Sequence, residues 1–144
     1  MKVSECMTRD VWIVDPDQTL RDAAHMMADI DAGILPVGAR DRLVGVVTDR
    51  DIAIRGIGQG REPDATVREV MSPEVEYCFL DDDADVVLDN MADIQVRRLP
   101  VLDQDKMLVG IVSISDLAGT GEATRAGEAL RDIARPSGLH SQAR

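Results

Sequence analysis

Displaced along itself by 64 positions, the sequence repeats. Val3-Ser4-Glu5-Cys6-Met7 falls on Val67-Arg68-Glu69-Val70-Met71, Met27-Ala28-Asp29-Ile30 on Met91-Ala92-Asp93-Ile94, and Leu35-Pro36-Val37 on Leu99-Pro100-Val101. Beyond Val101 the displacement becomes 65, so Gly45-Val46-Val47-Thr48 matches Gly110-Ile111-Val112-Ser113 and Asp51-Ile52 matches Asp116-Leu117. The extra residue falls in the polar stretch Asp103 to Lys106, opposite Gly38 to Arg42, where an insertion costs little. A chain of 144 residues has room for one compact domain or for two small repeats sharing a core. Duplication selects the second, with expected boundaries 1–60 for the first motif and its connecting segment, 61–121 for the second, and 122–144 for a C-terminal helix and flexible tail.

Within each copy, periodicity and breakers predict a short helix, a strand, a helix, two strands and a second helix. Val11-Trp12-Ile13-Val14 reads as the first strand, ended by Asp15-Pro16-Asp17. Thr19 is placed to cap a helix whose apolar residues Leu20, Ala23, Ala24, Met27 and Ile30 recur at spacings of three and four, with Gly33 as its stop. Ile34-Leu35-Pro36-Val37 and Leu43-Val44-Gly45-Val46-Val47 are apolar runs flanking a polar turn, as expected of strands buried on both faces, and 99–102 and 107–112 repeat them. Gly56-Ile57-Gly58-Gln59-Gly60-Arg61-Glu62-Pro63 reads as a surface connection, and 122–134 as one more helix before a fraying tail.

Charge and composition narrow the functional classes. The formal charge of -11 repels a phosphate backbone at long range, and aromatics at 2% give no base-stacking platform, so no nucleic-acid partner is expected. No run of about 18 apolar residues is present and the N-terminus has no signal-peptide core, which predicts a cytoplasmic chain without a membrane partner. Two cysteines, Cys6 and Cys78, make a poor disulfide framework and are expected to be reduced. With His25 and His140 they are too scattered in sequence to suggest a zinc site. Asp81-Asp82-Asp83-Ala84-Asp85 lacks the later glycine and glutamate of a calcium loop, having Val86 and Ala92 there, and instead reads as a helix start. No nucleophile elbow, phosphate loop or acid–base pair is present, so no enzyme, catalytic residue or metal is expected.

Two segments concentrate the remaining information. Gly33-Ile34-Leu35-Pro36-Val37 leads to Gly45-Val46-Val47-Thr48-Asp49-Arg50-Asp51, and Arg97-Arg98-Leu99-Pro100-Val101 leads to Gly110-Ile111-Val112-Ser113-Ile114-Ser115-Asp116. On these motifs, over roughly residues 1 to 121, the chain resembles a tandem pair of cystathionine-beta-synthase (CBS) motifs, a Bateman module of the stand-alone bacterial type. The resemblance implies an α/β fold of β-α-β-β-α repeats packed about a pseudo-twofold axis, a flat homodimer, and a regulatory, signal-transducing role. It also implies that AMP, ADP, ATP or NAD binds in clefts between the motifs, with no cofactor required.

The residues make a physical case of their own. A strand ending at Thr48 and opening a helix presents backbone N–H groups and a hydroxyl to an anion such as phosphate. Asp51, three residues on, can accept hydrogen bonds from the vicinal hydroxyls of a ribose, and Ser113 and Asp116 repeat the arrangement. Ile34, Leu35 and Pro36, with Leu99 and Pro100 in the second copy, offer apolar walls for adenine, and proline leaves part of the backbone edge unpaired. The competing explanation is an ordinary capping box, worth about 1 kcal/mol; Thr19-x-x-Asp22 and Thr66-x-x-Glu69 share the spacing where no ligand is expected.

The copies are unequal. Ser115 adds a hydroxyl in the second, where the first has Arg50, suited equally to a phosphate or to a surface ion pair. Arg97 stands where the first has Gly33, which puts a close approach of ligand to backbone in doubt unless Arg97 or Arg98 turns toward phosphates. Arg50, Arg55, Arg97 and Arg98 are the cations available to a polyanion. The helix bearing Val86, Val87, Asn90, Met91 and Ile94 offers an apolar dimer surface. The expected function is thus a sensor of adenosine-containing ligands; the alternative is a ligand-free module that docks a client protein through its dimer surface or C-terminal tail.

Overall fold

Proline decides how little of the first predicted strand survives. In the computed structural model, which describes residues 1–118 and 123–134, Val14 makes a single parallel bridge to Val37, donating its N–H to the Pro36 carbonyl and accepting from the Gly38 N–H. Extending that ladder one step either way requires an N–H from Pro16 or from Pro36, and neither has one. The strand expected over Val11 to Val14 is therefore one bridge. In the second copy Leu80 replaces Pro16, and the matching segment is a strand, β3 (Cys78–Phe79).

The chain packs as two compact units, and their boundary runs across the sequence repeat. One, the repeat-one unit, comprises Asp10–Glu76 and Leu102–Val109; the repeat-two unit comprises Met1–Arg9, Tyr77–Val101 and the described residues from Gly110 onward. Each unit thus contains the opening segment of the other copy.

In the repeat-one unit, α1 (Leu20–Ile30) starts at a capping box: Thr19 Oγ1 accepts the Asp22 N–H at 3.1 Å and Asp22 Oδ2 accepts the Thr19 N–H at 3.2 Å. Leu20, Ala23 and Met27 form its buried stripe. The helix ends two residues before the expected stop, because Asp31 takes a left-handed conformation (φ 52°) and its N–H and that of Ala32 close on the last turn. Strands β1 (Ile34–Ala39) and β2 (Arg42–Thr48) pair antiparallel, Ile34 opposite Thr48 and Ala39 opposite Arg42. Arg40 and Asp41, both at positive φ, make the two-residue turn that matches strand twist. β1 is almost wholly buried as expected, whereas β2 alternates and buries one face only. Val67 and Val70, from the start of the second copy, complete this core with Val14, Leu35, Val37 and Val47.

After β2 comes one turn of helix, α2 (Asp49–Asp51), then a π-helical turn over Ile52–Gly56 and a 3₁₀ turn over Ile57–Gln59, so the expected connection at Gly56 to Pro63 begins as helix. Ser72 lies across β2, exchanging both backbone hydrogen bonds with Val46 at 2.9 and 3.0 Å. That approach explains Gly45: a Cβ there would stand 2.8 Å from the Ser72 carbonyl oxygen and 2.9 Å from Met71 Sδ.

The repeat-two unit follows the same element order. α3 (Ala84–Ile94) opens on Asp83, whose Oδ1 accepts the Asp85 N–H at 2.8 Å, so the acidic run is a helix start as expected. β4 (Arg98–Leu102) lies between β3 and β5 (Leu108–Ser113), and α4 (Ile114–Ala118) follows β5. Thr8 exchanges backbone bonds with Ile111, and a Cβ on Gly110 would meet the Thr8 carbonyl oxygen at 2.7 Å. The extra loop residue of the second copy, on the segment Leu102–Val109 that belongs to the repeat-one unit, is absorbed by Asp103, whose Oδ1 accepts the N–H groups of Asp105 and Met107. The helix expected over 122–134 is α5 (Ala123–Ile133), packed on α3. That packing corrects the dimer stripe: Val87 and Met91 are buried within their own unit, while Val86, 56% exposed, and Ile94, 38% exposed, are not. The tail beyond Pro136, with His140, lies outside the described residues. Among the described residues no helix is long and apolar enough to cross a membrane.

Candidate functional site

The end of β2 is tied back to the start of β1 by one backbone bond, Asp49 N–H to Gly33 carbonyl at 2.9 Å; in the other unit Ile114 N–H donates to the Arg97 carbonyl at 3.0 Å. In each unit this brings the apolar strand and the hydroxyl–carboxylate motif together. Thr48 N–H donates to Asp51 Oδ2 and Asp51 N–H to Thr48 Oγ1, both at 3.0 Å. Ser113 N–H donates to Asp116 Oδ2 at 2.9 Å and Asp116 N–H to Ser113 Oγ at 3.1 Å.

Both motifs are therefore capping boxes, as are Thr19–Asp22 and Thr66–Glu69. Surroundings separate the pairs. Thr19 and Thr66 bridge each other, and Leu20 N–H donates to the Ala65 carbonyl, so those two boxes join two chain segments. Thr48 and Ser113 instead stand beside an apolar strand. The caps engage only Oδ2 of Asp51 and of Asp116; Oδ1 of each has no hydrogen-bond partner among the described residues. A carboxylate held by one oxygen and open at the other is oriented before any ligand arrives.

The strand edge is open at one place. Residues of like parity on β1 share an edge, and Pro36 gives its carbonyl to Val14, so Ile34 turns its N–H and C=O to that same edge, away from β2. Neither group has a backbone partner among the described residues. An adjacent donor and acceptor there match the Watson–Crick edge of a base. The side chains of Leu35, Leu99, Pro36 and Pro100 are buried, so, of the residues expected to form the apolar wall, half-buried Ile34 in repeat one has an accessible side chain.

The phosphate cradle expected at the first helix turn is also corrected in repeat one. Asp49 N–H goes to Gly33, Arg50 N–H to Asp49 Oδ1 at 2.8 Å, and Asp51 N–H to Thr48, leaving none for a ligand. Among the four candidate arginines, Arg55 donates to the carbonyls of Val70 and Met71 and is structural. Arg50, Arg97 and Arg98 are exposed, with no ion pair among the described residues. Ser115 is exposed at the first turn of α4.

Sequence reasoning missed the neighbours supplied by the crossing segments. Cys6 is half-buried, and its thiol is pushed up by burial and then by the carboxylates of Asp116 and Glu5, which puts it in the electrostatic field of the repeat-two motif. The signal available was the pairing of Gly45 and Gly110 with Met71 and Met7, each in register with the other.

Residues 3–56 and 67–120 each match the model of the CBS domain. The CBS domain-containing protein YhcV of Bacillus subtilis is 41% identical over 132 residues, covering 91% of this chain and 94% of that protein. Hypoxic response protein 1 of Mycobacterium tuberculosis is 39% identical over 116 residues, 79% of this chain and 80% of that one. A crystal structure of Hypoxic Response Protein I with two coordinated zinc ions aligns with a TM-score of 0.75 at 37% identity, covering 83% of this chain and 98% of that chain. CBSX2, solved in complex with AMP, aligns with a TM-score of 0.75 over 86% of this chain and 98% of its own; at 23% identity the likeness is one of fold. Among the described residues here, no group of three or more His, Cys, Asp and Glu side chains converges to hold a metal.

Proposed function

This chain belongs to the CBS-domain family as a tandem pair, the arrangement of a regulatory module, and on that premise we propose that it senses adenosine-containing ligands: AMP, ADP, ATP or NAD. One observation supports the reading above the others. Asp51 and Asp116 each keep Oδ1 open while Oδ2 fixes the carboxylate's direction, beside an apolar strand in both units. A ribose supplies two vicinal hydroxyls to such an acceptor. The Thr48 and Ser113 hydroxyls, which accept in the caps, still have a proton to donate; Ser115 and Arg98 are within the repeat-two motif for phosphate oxygens, and Arg50 flanks the ribose acceptor of repeat one. Backbone groups of Ile34 read the base in repeat one, where Leu35 and Pro36 shape the strand; Leu99 and Pro100 hold the matching positions of β4 in repeat two. The AMP complex of CBSX2 supports the ligand class through the shared fold.

Occupancy signals only if it favours one packing of the module over another. The reading assigns the protein no reaction of its own and takes it to be a cytoplasmic homodimer, an association to which exposed Val86 and Ile94 of α3 and Leu130 of α5 offer apolar area. Isothermal titration calorimetry with AMP tests it: the wild type should bind, and Asp116→Ala should lose roughly 1.5 to 3 kcal/mol, the scale of hydrogen bonds to a charged group. Unchanged affinity in both Asp116→Ala and Asp51→Ala would remove the carboxylates from the site.

A further inference from the structure

We infer that Asp49 is an internal anion that turns the repeat-one motif away from phosphate, so that phosphorylated adenosine compounds select the repeat-two motif and repeat one takes an adenosine compound without phosphate. The inference rests on the adenosine reading above and assigns a ligand class to each motif.

Its starting point is what fills the space at Gly33. A Cβ built there would stand 2.8 Å from Asp49 Oδ2, 3.1 Å from Cγ and 3.3 Å from Oδ1. Gly33 therefore seats a carboxylate, rather than leaving backbone for a ligand to approach. The Asp49 backbone is fixed by its own N–H on the Gly33 carbonyl, and its exposed carboxylate is held by the Arg50 N–H on Oδ1. A backbone N–H at the first turn, of the kind a phosphate oxygen seeks, is thus already taken by a negative charge of the protein.

The matching position in repeat two is Ile114, which makes the same backbone bond to residue 97 and has no carboxylate to offer. Residue 97 is itself an arginine, and Arg98 follows where repeat one has Ile34. Both arginines are exposed and in no ion pair among the described residues. Repeat one therefore sets Asp49 and Asp51 against Arg50, with Arg55 committed to carbonyls; repeat two sets Arg97 and Arg98 against Asp116. Arg55 keeps its charge while donating to carbonyls, so the repeat-one motif sums to zero and the repeat-two motif is positive within a chain whose overall charge is -11, a local exception that an anion will find.

Calorimetry of the full-length chain with AMP and with adenosine, which shares its base and ribose, tests the inference. In the wild type, AMP should occupy one class of site well and a second weakly, and adenosine should not distinguish them. Asp49→Asn keeps the acceptor for the Arg50 N–H, and Asp49→Ile copies repeat two should the first variant fold poorly. Either should strengthen the weaker AMP event about fivefold, the scale of one exposed charge pair, with adenosine changed less than twofold. Replacing Arg97 and Arg98 together by glutamine should weaken the stronger AMP event about tenfold, again sparing adenosine, and the loss should shrink at high salt. AMP affinities that follow adenosine in every variant would overturn the role of Asp49 while leaving adenosine binding intact. Absence of heat from both compounds in the wild type would overturn this inference and the proposed function together.

Discussion

Asp51 and Thr48 hold each other by two reciprocal hydrogen bonds of 3.0 Å, so a single carboxylate is both the cap of a helix turn and the open acceptor of a candidate site. The two roles separate chemically. Asparagine at 51 or 116 keeps an oxygen for the cap but loses the charge that strengthens a bond to a ribose hydroxyl. Asp116→Asn should therefore unfold in urea within about 0.5 kcal/mol of the wild type while binding AMP more weakly, whereas Asp116→Ala loses affinity and about 1 kcal/mol of stability besides. Equal losses of stability in both variants would show that the cap depends on the charge.

Leu35 separates packing from binding in the same way. It lies in the motif that points to adenine, yet its side chain is fully buried in the repeat-one core with Val14, Val37 and Val47. Leu35→Ala should cost 2 to 5 kcal/mol, on the order of other buried leucine truncations, with AMP affinity of the folded fraction changed less than about twofold. Denaturant unfolding and calorimetry read the two quantities separately, and a large loss of affinity without loss of stability would place the side chain at the ligand.

Gly45 and Gly110 test the crossing segments. A methyl at either would press on a backbone carbonyl oxygen, of Ser72 at 2.8 Å or of Thr8 at 2.7 Å, and on a methionine sulfur. Gly45→Ala and Gly110→Ala should each destabilise by roughly 1 to 3 kcal/mol, the range of overpacked cores, despite the better strand and helix propensity of alanine. Midpoints in urea equal to that of the wild type would mean that these segments do not lie on the strands.

Much of this was legible from residues alone. The 64-position repeat, the cap at Thr19, the helix start in the acidic run 81–85 and the polar turn between the two apolar runs follow from local chemistry, and the structure has them. What was not legible is long-range. No local rule tells that Val67 packs in the core of the first copy's unit, because an apolar residue records that it is buried and not by what. The shortened first strand was legible in principle, since Pro16 and Pro36 remove its donors, but only once its partner strand is known. At the motif, spacing offered the Thr48–Asp51 and Ser113–Asp116 bonds as the capping-box alternative; it could not show that the Asp49 carboxylate stands over Gly33, a contact set by how β1 and β2 close there.

Alkaline pH provides a test on the repeat-two core. Burial first, then the Asp82 carboxylate, pushes the Cys78 thiol up to about 12 from an ordinary 9.0. The folded chain keeps a proton that the unfolded chain gives up near its ordinary value, so this contribution is complete below that value and is lost as pH rises toward the folded one. The slope is at most about 1.4 kcal/mol per pH unit. Urea midpoints should fall from about pH 9 upward toward about pH 11, and Cys78→Ala should fall less steeply. Parallel pH profiles for the two proteins would show that Cys78 titrates alike folded and unfolded.

The most direct measurement of the central claim is thermal unfolding of the purified protein with AMP, ADP, ATP, NAD or S-adenosylmethionine at millimolar concentration, against guanosine counterparts. A ligand at a hundred times its Kd adds about 2.7 kcal/mol to the native state, a rise in midpoint on the order of 10 °C. At least one adenosine compound should produce such a rise and its guanosine counterpart should not. No rise with any adenosine compound, or an equal rise with guanosine, would contradict the sensor and favour a module that docks a client protein.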